Sequence, residues 1–333
     1  MTNLELSESQ QAGQRLMIGF NGTDLNDALR YAIDTLKVGG LILFSRNIVS
    51  PDQIRELCGS AQAYAAHCGQ PPLFIAIDQE GGSVARLKPP FTQFAGNPAM
   101  RSMQDAAAFA RTTAGELAGI GVNMNMAPVL DVAPPQSGSI MQKRVFGSDP
   151  QWVAQMGATV ITHLQANGIM AVGKHFPGIG RTVLDSHIEL PDLDSDAQTL
   201  AGSDLLPFQA AVRAGVCGIM LSHIRYTAID PQRPASLSEI IADDWLRRQL
   251  GFNGLVLTDD LDMGAIAKYH GMDDIVPHCL QAGVDILLIC HAGPAIEVAF
   301  KAMLSCGRSS EKQMQKSAQS VRRILEMKAR WVR

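Results

Sequence analysis

Eight short apolar runs recur along the chain, at Leu16–Phe20, Leu41–Phe44, Leu73–Ile77, Val122–Met126, Ile169–Val172, Cys217–Leu221, Leu255–Thr258 and Asp285–Ile289. They read as continuous hydrophobic stretches rather than as alternation of apolar and polar residues, which is the pattern of parallel strands covered on both faces. Helical patterns lie between them, among them Ala106–Leu117, Pro150–Gln165 and Leu205–Ala214. Strand alternating with helix predicts an α/β fold with a parallel sheet. Gly39, Gly121, Gly168, Gly215, Gly254 and Gly283 stand at or just before strands. Each reads as the positive-φ residue that ends a helix before the next strand. Polar residues gather where the strands end all along the chain, whereas an open doubly wound sheet concentrates its site at one switch point. The expected architecture is therefore one (β/α)8 TIM-type barrel over residues 1–333. No repeat, low-complexity tract or linker divides it, and Pro134–Ser139 and Pro177–Leu193 read as long strand-to-helix loops.

Composition narrows the function classes. With 46% hydrophobic and 18% charged residues in 333, the chain can bury a large core. Its net charge of −4 leaves no footprint for nucleic acid or an anionic membrane. No stretch reaches the ~20 apolar residues of a membrane span. Glu5 and Glu8 come early and no long apolar segment follows, so no secretory signal is expected. Six scattered cysteines without a C-x-x-C pair read as reduced thiols, and a cytoplasmic location is expected. The basic residues of the last segment, Lys312, Lys316, Arg322, Arg323, Lys328 and Arg330, read as the solvated face of a final helix around Ile324, Leu325 and Met327.

In a barrel the chemistry sits at the C-terminal ends of the strands. There the third run leads into Asp78-Gln79-Glu80-Gly81-Gly82 with Arg86, and the fourth into Asp131. The fifth ends in Lys174-His175, followed by Gly178, Gly180 and Asp185-Ser186-His187. The sixth gives Ser222-His223, the seventh Asp259-Asp260 and the eighth His291. Ionisable residues at six of eight strand ends imply one shared polar pocket. Glycoside cleavage needs a nucleophile and an acid/base on either side of the scissile bond. Asp259, on a rigid strand end, suits the first role; Asp185 or His187 suits the second, since an imidazole exchanges protons near neutral pH. Asp260, its neighbour on the strand, points the other way and reads as structural. Asp131 can be a cap or ion-pair partner, His223 and His291 satisfied wall residues, and Arg86 can pair with Glu80 rather than with substrate.

The run from Lys174-His175-Phe176-Pro177-Gly178 through Asp185-Ser186-His187 to Pro191 resembles the signature loop of family 3 glycoside hydrolases, in their bacterial β-N-acetylglucosaminidase branch. Four further stretches agree in the same order: Ile77–Gly82 with Arg86, Ala127–Val132, Arg144–Gly147, and Thr258–Leu261 with Met263. The resemblance implies Asp259 as nucleophile, His187 as acid/base and Asp185 as its partner. It assigns Asp78, Arg86, Arg144, Lys174 and His175 to the terminal sugar. It further implies a cytoplasmic enzyme of cell-wall recycling that releases N-acetylglucosamine from anhydromuropeptides, without metal or organic cofactor. Nothing points beyond a monomer or weak dimer. The chain departs from the pattern at Ile179, where histidine is usual, and at Arg181, where a smaller or acidic residue is common. Arg181, if it approaches His187, lowers that imidazole's pKa by like-charge repulsion. Four rival readings accompany this one: a metal-dependent hydrolase, a Schiff-base aldolase using Lys174, a sugar-binding protein without turnover, and a β-N-acetylglucosaminide phosphorylase.

Overall fold

A computed structural model describes residues 6–135, 137–184, 189–307 and 310–332. Eight parallel strands close on themselves: β1 (Leu16–Ile18), β2 (Gly40–Leu43), β3 (Phe74–Ile77), β4 (Met124–Asn125), β5 (Met170–Phe176), β6 (Gly218–Leu221), β7 (Leu255–Asp260) and β8 (Ile286–Ile289), with β8 beside β1. All eight apolar runs are strands, and the expected α/β barrel is the fold.

The continuous hydrophobicity of the runs has a direct cause. Successive side chains of a strand point to opposite faces. Met17, Ile42, Phe74, Met124, Met170 and Leu257 point inward and fill the barrel. Leu16, Ile18, Leu41, Ile75 and Val256 point outward into the layer beneath the helices. Both faces are dry, so both sets must be apolar, each fully buried side chain contributing roughly 1.5–3 kcal/mol.

The outer layer is α1 (Asp27–Asp34), α2 (Pro51–His67), α3 (Met103–Gly119), α4 (Pro150–Ala166), α5 (Leu205–Arg213), α6 (Ile240–Gln249, wound as a π-helix), α7 (Met272–Ala282) and α8 (Pro294–Cys306). Caps start them where the sequence offers capping residues: Ser50 before Pro51, Ser102 before Met103 and Asp149 before Pro150 each accept a backbone N–H of the first turn. Gly283, at φ 79°, ends α7 in the left-handed conformation expected of it. Gly39 and Gly254 do not belong to that class. A Cβ on Gly39 would stand 2.1 Å from the Gln14 carbonyl oxygen, and one on Gly254 2.6 Å from that of Cys217, so close packing of the backbone selects glycine at both.

The last helix, α9 (Glu311–Trp331), lies across the N-terminal end of the barrel, where Ile324 joins the interior apolar cluster. Its basic residues are not all solvated. Lys328 is 1% exposed, with its Nζ donating to Gln14 Oε1 and the Gly39 carbonyl. Arg323 donates to Asp285 and Lys316 to Glu239. The expected solvated face holds for Arg322, paired within its own helix to Glu326. A basic stripe that reads as solvent-facing from spacing alone is in part the stopper of the barrel. No helix among the described residues is long and apolar enough to cross a membrane.

Candidate active site at the strand ends

The site begins where β3 stops. After Asp78 the chain turns through a small hairpin, Gln79–Gly81 against Val84–Ala85. The Gln79 side chain accepts the backbone N–H groups of Arg86 and Leu87, and its own N–H and carbonyl are taken by Asn125 on β4. The hairpin folds Arg86 back over its own strand end, so that Nη2 donates to Asp78 Oδ2 at 3.1 Å. Arg86 therefore pairs with Asp78. Glu80, the alternative partner, is taken instead by Arg144, whose Nε and Nη2 donate to its two oxygens at 3.0 and 2.7 Å.

β5 supplies the centre of this network. The strand runs beyond the apolar stretch to Phe176, so Lys174 and His175 lie on it rather than after it. Lys174 Nζ reaches Asp78 Oδ1 at 2.8 Å and Glu80 Oε1 at 2.7 Å. Burial alone would pull its pKa down, but the two carboxylates outweigh burial and hold it above the ordinary lysine value. The charged amine is not a nucleophile, which removes the footing of the Schiff-base reading. The same balance acts in reverse on the acids. Burial pushes Asp78 up, Lys174 and Arg86 pull it down further, and the result is about 2. Glu80 is likewise lowered, by Lys174 and Arg144 against burial.

Beside the network, His175 Nδ1 lies 2.8 Å from Asp131 Oδ2. Asp131 is 0% exposed, and its other oxygen accepts the N–H groups of His175 and Ile179. It thus orients His175 and is a partner rather than a helix cap. Ile179 is itself 5% exposed, packed in the outer core, and meets Asp131 through its backbone.

Asp259 stands near the end of β7, where the pairing register with β8 shifts between Leu257 and Asp260. Its Oδ1 accepts the Asp260 N–H at 2.8 Å. Burial raises its pKa, yet the rings of His175 and His223, the Asp260 amide and Lys174 together bring it below the ordinary aspartate value. It is an anion throughout the physiological range. His223 is depressed by burial, against the pull of Asp259, and is neutral. Its Nε2 is 2.9 Å from the Asp260 carbonyl, an acceptor only, so Nε2 carries the proton and Nδ1 accepts from Ser236 Oγ at 2.8 Å. His223 is a satisfied wall residue.

Asp260 points the other way, as strand alternation requires. Its carboxylate accepts the N–H groups of Asp262 and Cys290 and so stitches β7 to β8. With Asp262 and His291 it forms one three-residue group whose ligand-type atoms lie within 4.8 Å of one another. His291 is 70% exposed there, a surface residue rather than a pocket wall.

The structure thus brings together Asp78, Arg86, Arg144, Lys174, His175 and Asp259. Asp185 and His187, the expected acid/base pair, lie outside the described residues. Arg181, at the start of their loop, donates through Nε to both oxygens of Asp204, at 3.0 and 3.2 Å. Its charge is thus taken up by a buried carboxylate. Spacing puts Glu80, Asp131 and Asp260 at strand ends but does not give their partners: Arg144 and Lys174 for Glu80, His175 for Asp131 and the Cys290 N–H for Asp260. Glu80 had one available signal, its place in the same strand-end motif as Asp78.

Residues 8–327 match the model of the glycosyl hydrolase family 3 N-terminal domain. A β-hexosaminidase of Thiobacillus denitrificans is 40% identical over 299 residues, covering 86% of this chain and 81% of its own. One from Nitrosomonas eutropha is 38% identical over 285 residues, covering 83% and 80%. A family 3 β-N-acetylglucosaminidase of Paenibacillus superposes with a TM-score of 0.93 at 35% identity over 97% of this chain, which spans 63% of that protein. A β-N-acetylhexosaminidase of Beutenbergia cavernae superposes at 0.90 with 30% identity over 98% of this chain and 100% of its own. With the fold and these relatives in agreement, the chain belongs to glycosyl hydrolase family 3 and is a glycoside hydrolase that sits among the family's β-hexosaminidases.

Proposed function

We propose that residues 1–333 form a single catalytic domain, a retaining β-N-acetylhexosaminidase that releases terminal β-linked N-acetylglucosamine from peptidoglycan fragments. The observation that carries this reading is Asp259. It is a carboxylate kept ionised at the end of a rigid strand, beside a set of charged groups with donors and acceptors for sugar hydroxyls. In the first step the Asp259 carboxylate attacks the anomeric carbon as the bond to the leaving oxygen breaks, and His187 gives that oxygen its proton. In the second, His187 takes a proton from water, the water oxygen bonds to the anomeric carbon, and Asp259 leaves as carboxylate. Asp185 orients the His187 ring. Asp78 accepts from hydroxyls, Arg86, Arg144 and Lys174 donate, and His175, aligned by Asp131, meets the reacting face. No metal or cofactor is required by this scheme. The fragments named as substrate, and a cytoplasmic setting in which the six free cysteines stay reduced, complete the proposal.

The test is turnover of a chromogenic β-N-acetylglucosaminide by wild type, Asp259→Ala and His187→Ala, without added metal. Loss on the order of 10⁴-fold in Asp259→Ala is expected, with His187→Ala slowed by roughly 10²–10⁴-fold. A wild type that binds N-acetylglucosamine without turning it over would replace the enzyme reading with a binding one.

A further inference from the structure

The loop that follows β5 is held at its two ends in unlike ways. At its start the contacts are buried or half-buried. Ile179 N–H donates to Asp131 at 2.8 Å and the Gly178 carbonyl accepts from Tyr226 Oη at 2.8 Å. Arg181 grips Asp204, itself 0% exposed, and adds a contact to Ser203 Oγ. Gly180 packs so closely that a Cβ would fall 2.0 Å from the Val132 carbonyl oxygen. This end cannot shift without uncovering a buried carboxylate.

At the far end the side-chain contacts are exposed, and a short parallel ladder, Asp192–Leu193 beside Arg225–Tyr226, holds the backbone just beyond Glu189. Glu189 Oε1 accepts from Lys268 Nζ at 3.1 Å, and Oε2 accepts from Tyr269 Oη at 2.8 Å. Three residues on, Asp192 takes both guanidinium donors of Arg225 at 2.7 Å. The Asp192 contact ties the loop to the segment after β6. The Glu189 contact ties it to the segment after β7, the strand that bears Asp259. Glu189 is two residues beyond His187 in the sequence.

We propose that Glu189, Lys268 and Tyr269 are positioning residues for proton transfer in this glycosidase, a strut by which the nucleophile's own strand-to-helix segment sets the place of the acid/base loop. The inference rests on the reading of His187 as acid/base. As a stabilising feature a surface contact of this kind is worth little. As a geometric one it matters, because displacement of a catalytic group by about 1 Å can cost on the order of 10²-fold in rate. Both oxygens of Glu189 are used, so the strut fixes direction as well as distance. The Tyr269 hydroxyl and the Lys268 amine leave the loop bonded to two consecutive residues of one backbone.

Leaving-group chemistry separates this role from a merely structural one. A dinitrophenyl aglycone departs without a proton, whereas a phenyl aglycone needs one. In Glu189→Ala and Tyr269→Phe, kcat/KM for the phenyl β-N-acetylglucosaminide should fall roughly tenfold while that for the dinitrophenyl substrate changes less than about twofold. Glu189→Gln, which keeps an acceptor for Tyr269, should recover most of the loss. Equal losses on both substrates, or none on either, would overturn the strut. His187→Ala on the same two substrates is the reference. A split there with none in the strut variants rejects the inference alone; no split in His187→Ala removes the acid/base reading and the strut with it.

Discussion

The barrel carries a buried ion cluster at each end, and the two are built from the same residue types to opposite purposes. At the N-terminal end a single acid, Asp285, is surrounded. One oxygen accepts from Ser320 and twice from Arg323; the other accepts from Arg247 and the Val256 N–H. Arg15 closes the group by donating to the Val284 and Asp285 carbonyls. At the C-terminal end two acids, Asp78 and Glu80, share Lys174, and each has one arginine. Asp285 is 0% exposed at its side chain; Asp78 is 14% exposed. Among the described residues a buried Nε stands without a partner in each cluster, that of Arg86 above and that of Arg247 below, so exposure and not pairing separates the two. In the lower cluster the acid is sealed from solvent and both of its oxygens accept at least two donors. The upper one is open at Asp78 and Arg86, and under the proposed function that opening is where the sugar's hydroxyls meet the cluster.

The largest break in this comparison is Lys174→Met. It leaves Asp78 and Glu80 facing each other without their shared cation, and should cost about 3–5 kcal/mol of stability, read as a lowered thermal midpoint. Residual folded enzyme should lose at least about 10²-fold in kcat/KM, since the sugar loses a donor and its neighbours move. A variant that keeps wild-type kcat/KM would show that the upper cluster is only structural.

Asp285→Asn should weaken the fold by about 3 kcal/mol, because Arg247 and Arg323 lose a buried counter-charge. It should leave kcat and KM of the folded fraction at wild-type values. A change in KM would mean that the two ends of the barrel communicate, and the contrast between them would fail.

Much of that contrast was written in the residues, though unevenly. The eight strands follow from apolar runs because a barrel dries both faces of every strand, a local cause with a local signature. Strand-end residues such as Asp78, Lys174 and Asp259 follow from the same runs, since the site begins where each run stops. What spacing cannot supply is pairing across the barrel. Arg144 lies far along the chain from Glu80, and no periodicity says that it, rather than Arg86, will take that carboxylate. Lys328 misleads for the same reason, since its helix reads as amphipathic until the barrel end it plugs is known. Asp131 shows the middle case: its place at a strand end was legible, its role in holding His175 was not.

Acid titration sharpens the comparison through Asp78. A carboxyl whose folded pKa lies below its unfolded value adds stability that is present above the unfolded pKa and lost as pH falls through the folded one. For Asp78, moved from 3.8 to about 2, this amounts to roughly 2 kcal/mol, surrendered between about pH 4 and pH 2. Asp78→Asn should therefore flatten the acid side of a stability–pH curve measured by denaturant unfolding. The acid limb of kcat/KM should not follow Asp259, whose pKa is likewise lowered. An acid curve unchanged by the substitution would mean that Asp78 gains nothing from Lys174 and Arg86 on folding.

Lys328 gives the smallest effect and the finest discrimination. Among the described residues it has no carboxylate partner, and it meets the Gln14 and Gly39 oxygens and the face of Phe74, 5.0 Å from its Nζ. Burial lowers its pKa well below the ordinary lysine value. Between that lowered value and the unfolded one, near 10.5, the unfolded chain holds more protons than the folded one, so stability rises with pH across the window. Lys328→Met should abolish that rise while keeping the stem's packing against the barrel interior. At neutral pH the loss of two hydrogen bonds is set against release from a buried amine, and the net change should stay within about 1 kcal/mol. Thermal midpoints of wild type and variant measured from pH 7 to 10 decide the matter. Converging curves identify Lys328 as a buried, uncompensated base, unlike Lys174, whose two carboxylates keep it charged. Parallel curves would place a counter-charge at the lower end of the barrel, and the two ends would then differ less than their hydrogen bonds imply.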